Sequence, residues 1–156
     1  MSKTVNDWAE LKKEIMRRAR KSLKTNVADV VKIKIDEHIG TDVYNTYNPV
    51  VYERRWGNGI RDFDNMQVEV DSKTCTLSVR DVAPLEGPRL NSYKSYEENN
   101  LAGLIEHGAY NPWAKYGARD GAWTEPRPFM TNAQKDIKEH PEDIIQELKN
   151  DIENGI

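Results

Sequence analysis

Apolar residues recur every three or four positions at the start of the chain. Trp8, Leu11, Ile15, Ala19, Leu23, Val27 and Val30 form one stripe, and Lys12, Lys13, Arg17, Arg20, Lys21 and Lys24 fall largely off it. That spacing predicts a helix with one buried face. Thr4 followed by Asp7 has the capping-box shape, with a hydroxyl for orphan amides and a carboxylate at the positive helix end. The β-branched run Val30, Val31, Ile33 and Ile35 weakens the late part, so a kink or break is expected as readily as a continuous rod. Gly40 is the expected stop. Unbroken from Val5 to Glu37, the helix would run roughly 50 Å.

The period then changes to two. Val50 to Trp56 is β-prone after Pro49, and Gly57-Asn58-Gly59 makes a connection. Met66, Val68 and Val70 alternate with Gln67 and Glu69; Cys75, Leu77 and Val79 alternate with Thr76, Ser78 and Arg80. With a turn at Asp71-Ser72-Lys73, these two runs predict an antiparallel hairpin that includes Cys75. Residues 84–100 and 108–126 lack a period and are rich in turn formers, so both are expected to be long loops. Between them, Leu101 to Glu106 is a short apolar element. A helical close starts at Thr131, with Gln134 at capping-box spacing. Pro141 fits the first turn of a final helix that would bury Ile144, Ile145, Leu148 and Ile152. The order helix, strands, helix is an α+β class, read as one domain over 1–156 carrying two long loops, 84–100 and 108–126.

Composition narrows the function. The chain is 37% hydrophobic and 31% charged, and no apolar run is long enough to span a membrane, so neither membrane insertion nor a membrane partner is expected. The start has no signal-type apolar segment, which points to synthesis in the cytoplasm. The single cysteine, Cys75, excludes an intrachain disulfide and a cysteine-based zinc cluster, and it reads as an inert thiol. The net charge of −3 hides an asymmetry. Residues 1–40 hold ten Lys/Arg and six Asp/Glu, and residues 131–156 hold three and seven. These runs are either two solvated helices or a head-to-tail complementarity between subunits.

Candidate chemistry is sparse. Asp36-Glu37-His38 and Glu106-His107 set carboxylates beside imidazoles, but sequence neighbours do not converge on one point of a helix face or strand face. His140 precedes Pro141 and reads as a helix-start residue. There is no His-Glu-x-x-His spacing, no phosphate-cradling loop ending in Lys-Ser/Thr, and no Gly-x-Ser-x-Gly elbow. The expected catalytic, cofactor and metal sites are therefore none. The aromatics say more. Tyr93, Tyr96, Tyr110, Trp113, Tyr116 and Trp123 lie in the two aperiodic stretches, where large aromatics point to an interface. Trp8 and Trp56 are expected in the core.

Three stretches also resemble the tail-component family of tailed phages, the minor tail or tail-completion proteins near the head-to-tail junction. They are the long polar helix of Trp8 to Val31, the run Tyr52-Glu53-Arg54-Arg55-Trp56-Gly57-Asn58-Gly59 leading to a strand, and a C-terminal pair of marks. That pair is Leu104-Ile105-Glu106-His107-Gly108, a short apolar strand ending in Glu-x-Gly, and Arg127-Pro128-Phe129-Met130, opening the last helix. The family usually has Thr-Gly where this chain has Trp56-Gly57. The resemblance implies a structural virion protein that acts as an oligomeric ring at the neck. Its partners would be other neck and tail proteins, and nucleic-acid contact would be limited to DNA passing through the ring. Glu106, Gly108, Pro128 and Phe129 are its motif and core positions. Pro128 would fix the backbone before a helix, Phe129 would drop a ring under the sheet, and Glu106 could cap or pair with backbone amides. Two other classes compete: a small nuclease or ribonuclease toxin using the basic helix (Arg17, Arg18, Arg20, Lys21, Lys24) with a histidine, and a nucleic-acid-binding module using that helix without chemistry.

Overall fold

A computed structural model describes residues 7–46, 59–84, 100–108 and 125–155. The architecture is α+β: a bent N-terminal helix, a two-stranded antiparallel sheet and C-terminal helices. Helix α1 spans Trp8–Lys24, and Asp7 caps it by accepting from the Ala9 amide at 3.2 Å. Thr25 breaks the rod. Its backbone leaves the helical region (φ −116, ψ −97), while its hydroxyl donates to the Lys21 carbonyl. Helix α2 (Asn26–His38) follows and runs straight into a π-helical turn, Ile39–Tyr44. The expected stop at Gly40 is therefore wrong; the chain stays helical through it.

The physical reason lies in the spacing. Val27, Val31, Ile35, Ile39 and Val43 recur at strict intervals of four, and all but half-buried Val31 are buried. A four-residue step overshoots a 3.6-residue turn by about 40° each time, so the seam drifts around an α-helix. A wider π turn brings it back to the same side. The Thr46 hydroxyl, donating to the carbonyls of Asp42 and Val43, closes the end.

Strands β1 (Met66–Asp71) and β2 (Thr76–Asp81) form the expected hairpin in the register Met66↔Asp81 through Asp71↔Thr76. Val68 faces Val79 and Val70 faces Leu77, so the inner face is built from cross-strand apolar pairs. Asp71 shapes the turn by accepting from the Lys73 amide and the Thr74 hydroxyl. Cys75 is not a strand residue: it sits in that turn at φ 55, where a four-residue connection needs a left-handed position.

The short apolar element Leu101–Glu106 is helix α3 (Leu101–His107), so the stretch Leu104–Gly108, read above as a strand in the family resemblance, is the end of a helix and its glycine cap. The Asn100 side chain caps it by accepting from the Gly103 amide at 2.6 Å, and Gly108 ends it at φ 74, a conformation that glycine takes without strain. Helix α4 (Phe129–Glu139) and helix α5 (Glu142–Asn154) close the chain, so Phe129 opens the penultimate helix and not the last. The core gathers Ile35, Ile39 and Val43 with Ile60, Met66, Ala83, Leu101, Ala102, Ile105, Phe129 and Ala133. Phe129, fully buried, is the largest side chain at its centre.

Two burial expectations fail. Trp8 is not in the core but 77% exposed, because α5 ends before it can cover the start of α1. On α5, Ile145 is 58% exposed and Ile144, Leu148 and Ile152 are half-buried; the buried residue there is Asp151. Its carboxylate accepts from the Ser22 hydroxyl at 2.6 Å and the Asn26 amide group at 2.9 Å. Arg18 donates to the Ile152 carbonyl at 2.8 Å, placing a cation at the negative end of α5. The basic and acidic ends of the chain thus meet within one molecule. Trp56 and the Val50–Trp56 segment lie outside the described residues.

Candidate functional site

Helix α3 is the point where the two long aperiodic stretches leave and rejoin the scaffold. At its start, the Leu101 amide donates to the Ala83 carbonyl at 2.8 Å, and Pro84 bridges to Asn100. At its end, the Arg127 amide donates to the Ile105 carbonyl at 2.8 Å. Both stretches are therefore tied at their stems to one short buried helix, about 10 Å long at the usual rise. The six interface candidates, Tyr93, Tyr96, Tyr110, Trp113, Tyr116 and Trp123, lie outside the described residues.

Glu106 is 7% exposed, and its carboxylate works at a distance. It accepts from the amides of Met130 (2.8 Å) and Thr131 (3.0 Å) and from the Thr131 hydroxyl. The Phe129 amide donates to the Arg127 carbonyl, and the Asn132 amide to the Pro128 carbonyl. Pro128 has no amide hydrogen and Asn132 makes the first ordinary helical bond, so the three amides left open at the start of α4, those of Phe129, Met130 and Thr131, are all satisfied. The expected capping box of Thr131 with Gln134 does not form, because the helix already begins at Phe129 and the cap comes from α3. Pro128 stands at the capping position with φ −79, and its side chain makes no cap hydrogen bond. Gly108 is buried where α3 turns away.

A second polar cluster ties α2 to α4. His38 Nδ1 lies 3.0 Å from Asp42 on the π turn, and Asn132 donates to the same carboxylate at 2.9 Å. Lys34 reaches Glu37 at 3.2 Å and Asp136 at 3.7 Å. Burial pushes the Asp42 carboxyl up, but hydrogen bonds from Asn132, His38 and Thr41 outweigh it and hold it below the usual carboxylate range. The Thr41 hydroxyl donates to Asp42 and to the His38 carbonyl, not to the His38 ring. The cluster therefore contains an imidazole–carboxylate pair whose neighbouring hydroxyl is turned away from the ring, a clamp more than a nucleophile–base arrangement.

Asp81 is 4% exposed at the inner end of β2. One oxygen accepts from the Ala83 amide at 2.8 Å; the other has no hydrogen-bond partner among the described residues. Burial, opposed by that amide and reinforced by nearby Asp62, pushes its carboxyl up to about 7. Between α2, β2 and α4 lies an apolar cleft of about 600 Å³, walled by Val27, Val31, Leu77, Val79, Met130 and Ile137. Ser78, Arg80, Thr131 and Gln134 add its polar groups, and no carboxylate or imidazole lines it among the described residues. No group of three or more His, Cys, Asp or Glu is placed to hold a metal among the described residues, and no helix among them is long and apolar enough to cross a membrane.

On α1, Glu14 binds both Arg17 (2.7 and 2.8 Å) and Arg18 (3.0 Å), and these bonds hold its carboxyl at about 2. Sequence reasoning missed Asp42, Asn132 and Asp151 as organising groups. Asp151 did carry a signal: it falls three residues after Leu148 and seven after Ile144, on the apolar face.

The family model YomN matches residues 7–154. That family comes from phage-derived regions of Bacillus and is not the tail-completion family that the sequence motifs resemble. No curated protein and no solved structure matches the chain.

Proposed function

This chain belongs to the YomN family, which points to a phage origin, and we propose, from the motifs of the sequence and the arrangement around α3, that it is a structural subunit of a tailed phage particle, completing the neck or tail at the head-to-tail junction as an oligomeric ring. The observation that carries the reading is the α3 anchor. A buried helix, fixed at both ends by backbone bonds and by Glu106, holds the stems of two stretches that contain six large aromatics. Such an arrangement serves display: a rigid scaffold sets the positions from which aromatic contacts reach neighbouring neck and tail proteins. DNA would pass through the ring, so contact with it needs no dedicated binding helix.

The alternative, a small nuclease or a nucleic-acid-binding module built on α1, is less well supported. Two of its five basic side chains, Arg17 and Arg18, are engaged by Glu14, and Arg18 also by the α5 carbonyl. His38 is engaged by Asp42.

Particles purified from a phage carrying the gene test the reading. The protein should be found in them in a fixed copy number, and deletion of the gene should give filled heads without joined tails. Joined, infectious particles from the deletion would overturn it. Replacing His38, His107 and His140 together by Gln should leave joining intact; loss of joining with unchanged folding would favour chemistry.

A further inference from the structure

Asp81 closes β2 on the inner face of the hairpin, opposite Met66, while Arg80 beside it pairs with Gln67 on the outer face. It is 4% exposed; one oxygen accepts from the Ala83 amide at 2.8 Å, and the other, itself buried, has no hydrogen-bond partner among the described residues. Asp62, just before β1, faces it with a like charge. The other charged groups on neighbouring elements are turned to partners of their own: Arg61 binds Asp36, Lys32 reaches the Phe63 carbonyl, and Glu106 caps α4. The residue that Asp81 holds is the root of a stem. Ala83 is fully buried; its amide donates to Asp81, and its carbonyl accepts from the Leu101 amide at 2.8 Å. Pro84 bridges to Asn100, which in turn caps α3 through the Gly103 amide. Both ends of stretch 84–100 thus hang on the position of Ala83.

We propose that Asp81 is a proton-operated latch: with its proton on, the stem is closed, and loss of the proton to water opens it, releasing stretch 84–100 from α3 as pH rises. A protonated carboxyl at this site leaves one hydroxyl unpaired. A carboxylate stands there beside Asp62 with a single amide bond, which is far more costly. Turning the side chain out to water relieves the charge. That breaks the bond to Ala83, and as Ala83 moves the Leu101 amide loses its acceptor. Burial, reinforced by Asp62 and opposed by the Ala83 amide, holds the carboxyl at about 7 in the closed stem; in the open stem it returns to the ordinary 3.8. The closed stem therefore binds the proton more tightly. Opening is rarest below about pH 4, rises about tenfold per pH unit from there to about pH 7, and levels off above. The second stem lies off this path, since Arg127 is tied to Ile105 and Glu106 to α4 without Asp81. The two aromatic-bearing stretches are thus held under separate control. The latch follows from the stem alone and does not rest on the virion role proposed above.

Hydrogen exchange of the full chain tests it, with the protection of each amide corrected for its intrinsic rate at the same pH. Between pH 5 and pH 8 the amides of Ala83, Leu101 and Gly103 should lose about a hundredfold in protection. The Arg127 amide and those of the hairpin should keep theirs within about twofold, because only the stem opens. Asp81→Asn, which still accepts from Ala83 but cannot ionise, should hold the three stem amides at one level across the range. Unchanged protection in the wild type would overturn the inference, because the charge would then be tolerated in place. So would a loss that persists in Asp81→Asn, or an equal loss at Arg127 and in the hairpin, which would mean that the proton acts on the whole fold.

Discussion

Replacing Glu106 by alanine tests how the scaffold holds the stem of the second aromatic-bearing stretch. The carboxylate satisfies two of the three open amides of α4 and the Thr131 hydroxyl, from a site only 7% exposed. Alanine leaves two backbone donors in a half-buried position without acceptors. Each unsatisfied group costs about 1–3 kcal/mol, and part of that is recovered if water enters the space left by the side chain. Loss of the negative charge at the helix start adds about 0.3–1 kcal/mol. Relief from desolvating a carboxylate acts the other way. The expected net loss is about 3 kcal/mol, a fall in melting temperature of roughly 6–12 °C for a chain of this size. Glu106→Gln keeps the shape and one acceptor but turns an NH2 group towards an amide, so it should lie between alanine and wild type. Urea titration of the three proteins gives the order. Hydrogen exchange should show the amides of Met130 and Thr131 accelerated before the rest of α4. An alanine variant within about 0.5 kcal/mol of wild type would refute the reasoning, because the cap would then contribute nothing beyond hydration.

Phe129→Ala should destabilise by about 3–5 kcal/mol in the same titration, since the ring is fully buried at the centre of the core; a melt within a degree or two of wild type would contradict that placement. Asp81 holds its proton up to about pH 7 when folded and only to about 3.8 when unfolded. Its carboxyl therefore favours the fold least at high pH: stability falls as pH rises from about 4 to 7 and levels off above, by roughly 4 kcal/mol in all. Asp81→Asn should remove this slope, so its advantage over wild type grows by roughly 3 kcal/mol between pH 5 and pH 8; parallel stability curves would refute it. Asp151→Ala strands the Ser22 hydroxyl and the Asn26 amide group between α1 and α5 and should lower stability by about 2–3 kcal/mol, as measured by thermal melting; no change would mean that water replaces the carboxylate.

Local periodicity carried much of this fold. Alternation in Met66 to Val70 and Leu77 to Val79 fixed the hairpin, because a period of two admits only one set of inward residues. The three- and four-residue spacing from Trp8 onward identified the helical start, and proline at 141 placed the last helix. What local pattern cannot encode is the presence of a partner. Trp8 and Ile145 sit on correct apolar stripes yet stay exposed, because burial depends on where the neighbouring helix ends. Leu101 to Glu106 was too short for its period to separate strand from helix, and the choice fell to the Asn100 cap and the glycine turn at 108. The break at Thr25 and the π turn at 39–44 reconcile a four-residue apolar spacing with a 3.6-residue helix, a conflict settled only by packing against the sheet and α4. Likewise Glu106 was legible as a carboxylate able to meet backbone amides, but which amides it met was decided by the return of the chain at Arg127, 21 residues later, beside Ile105.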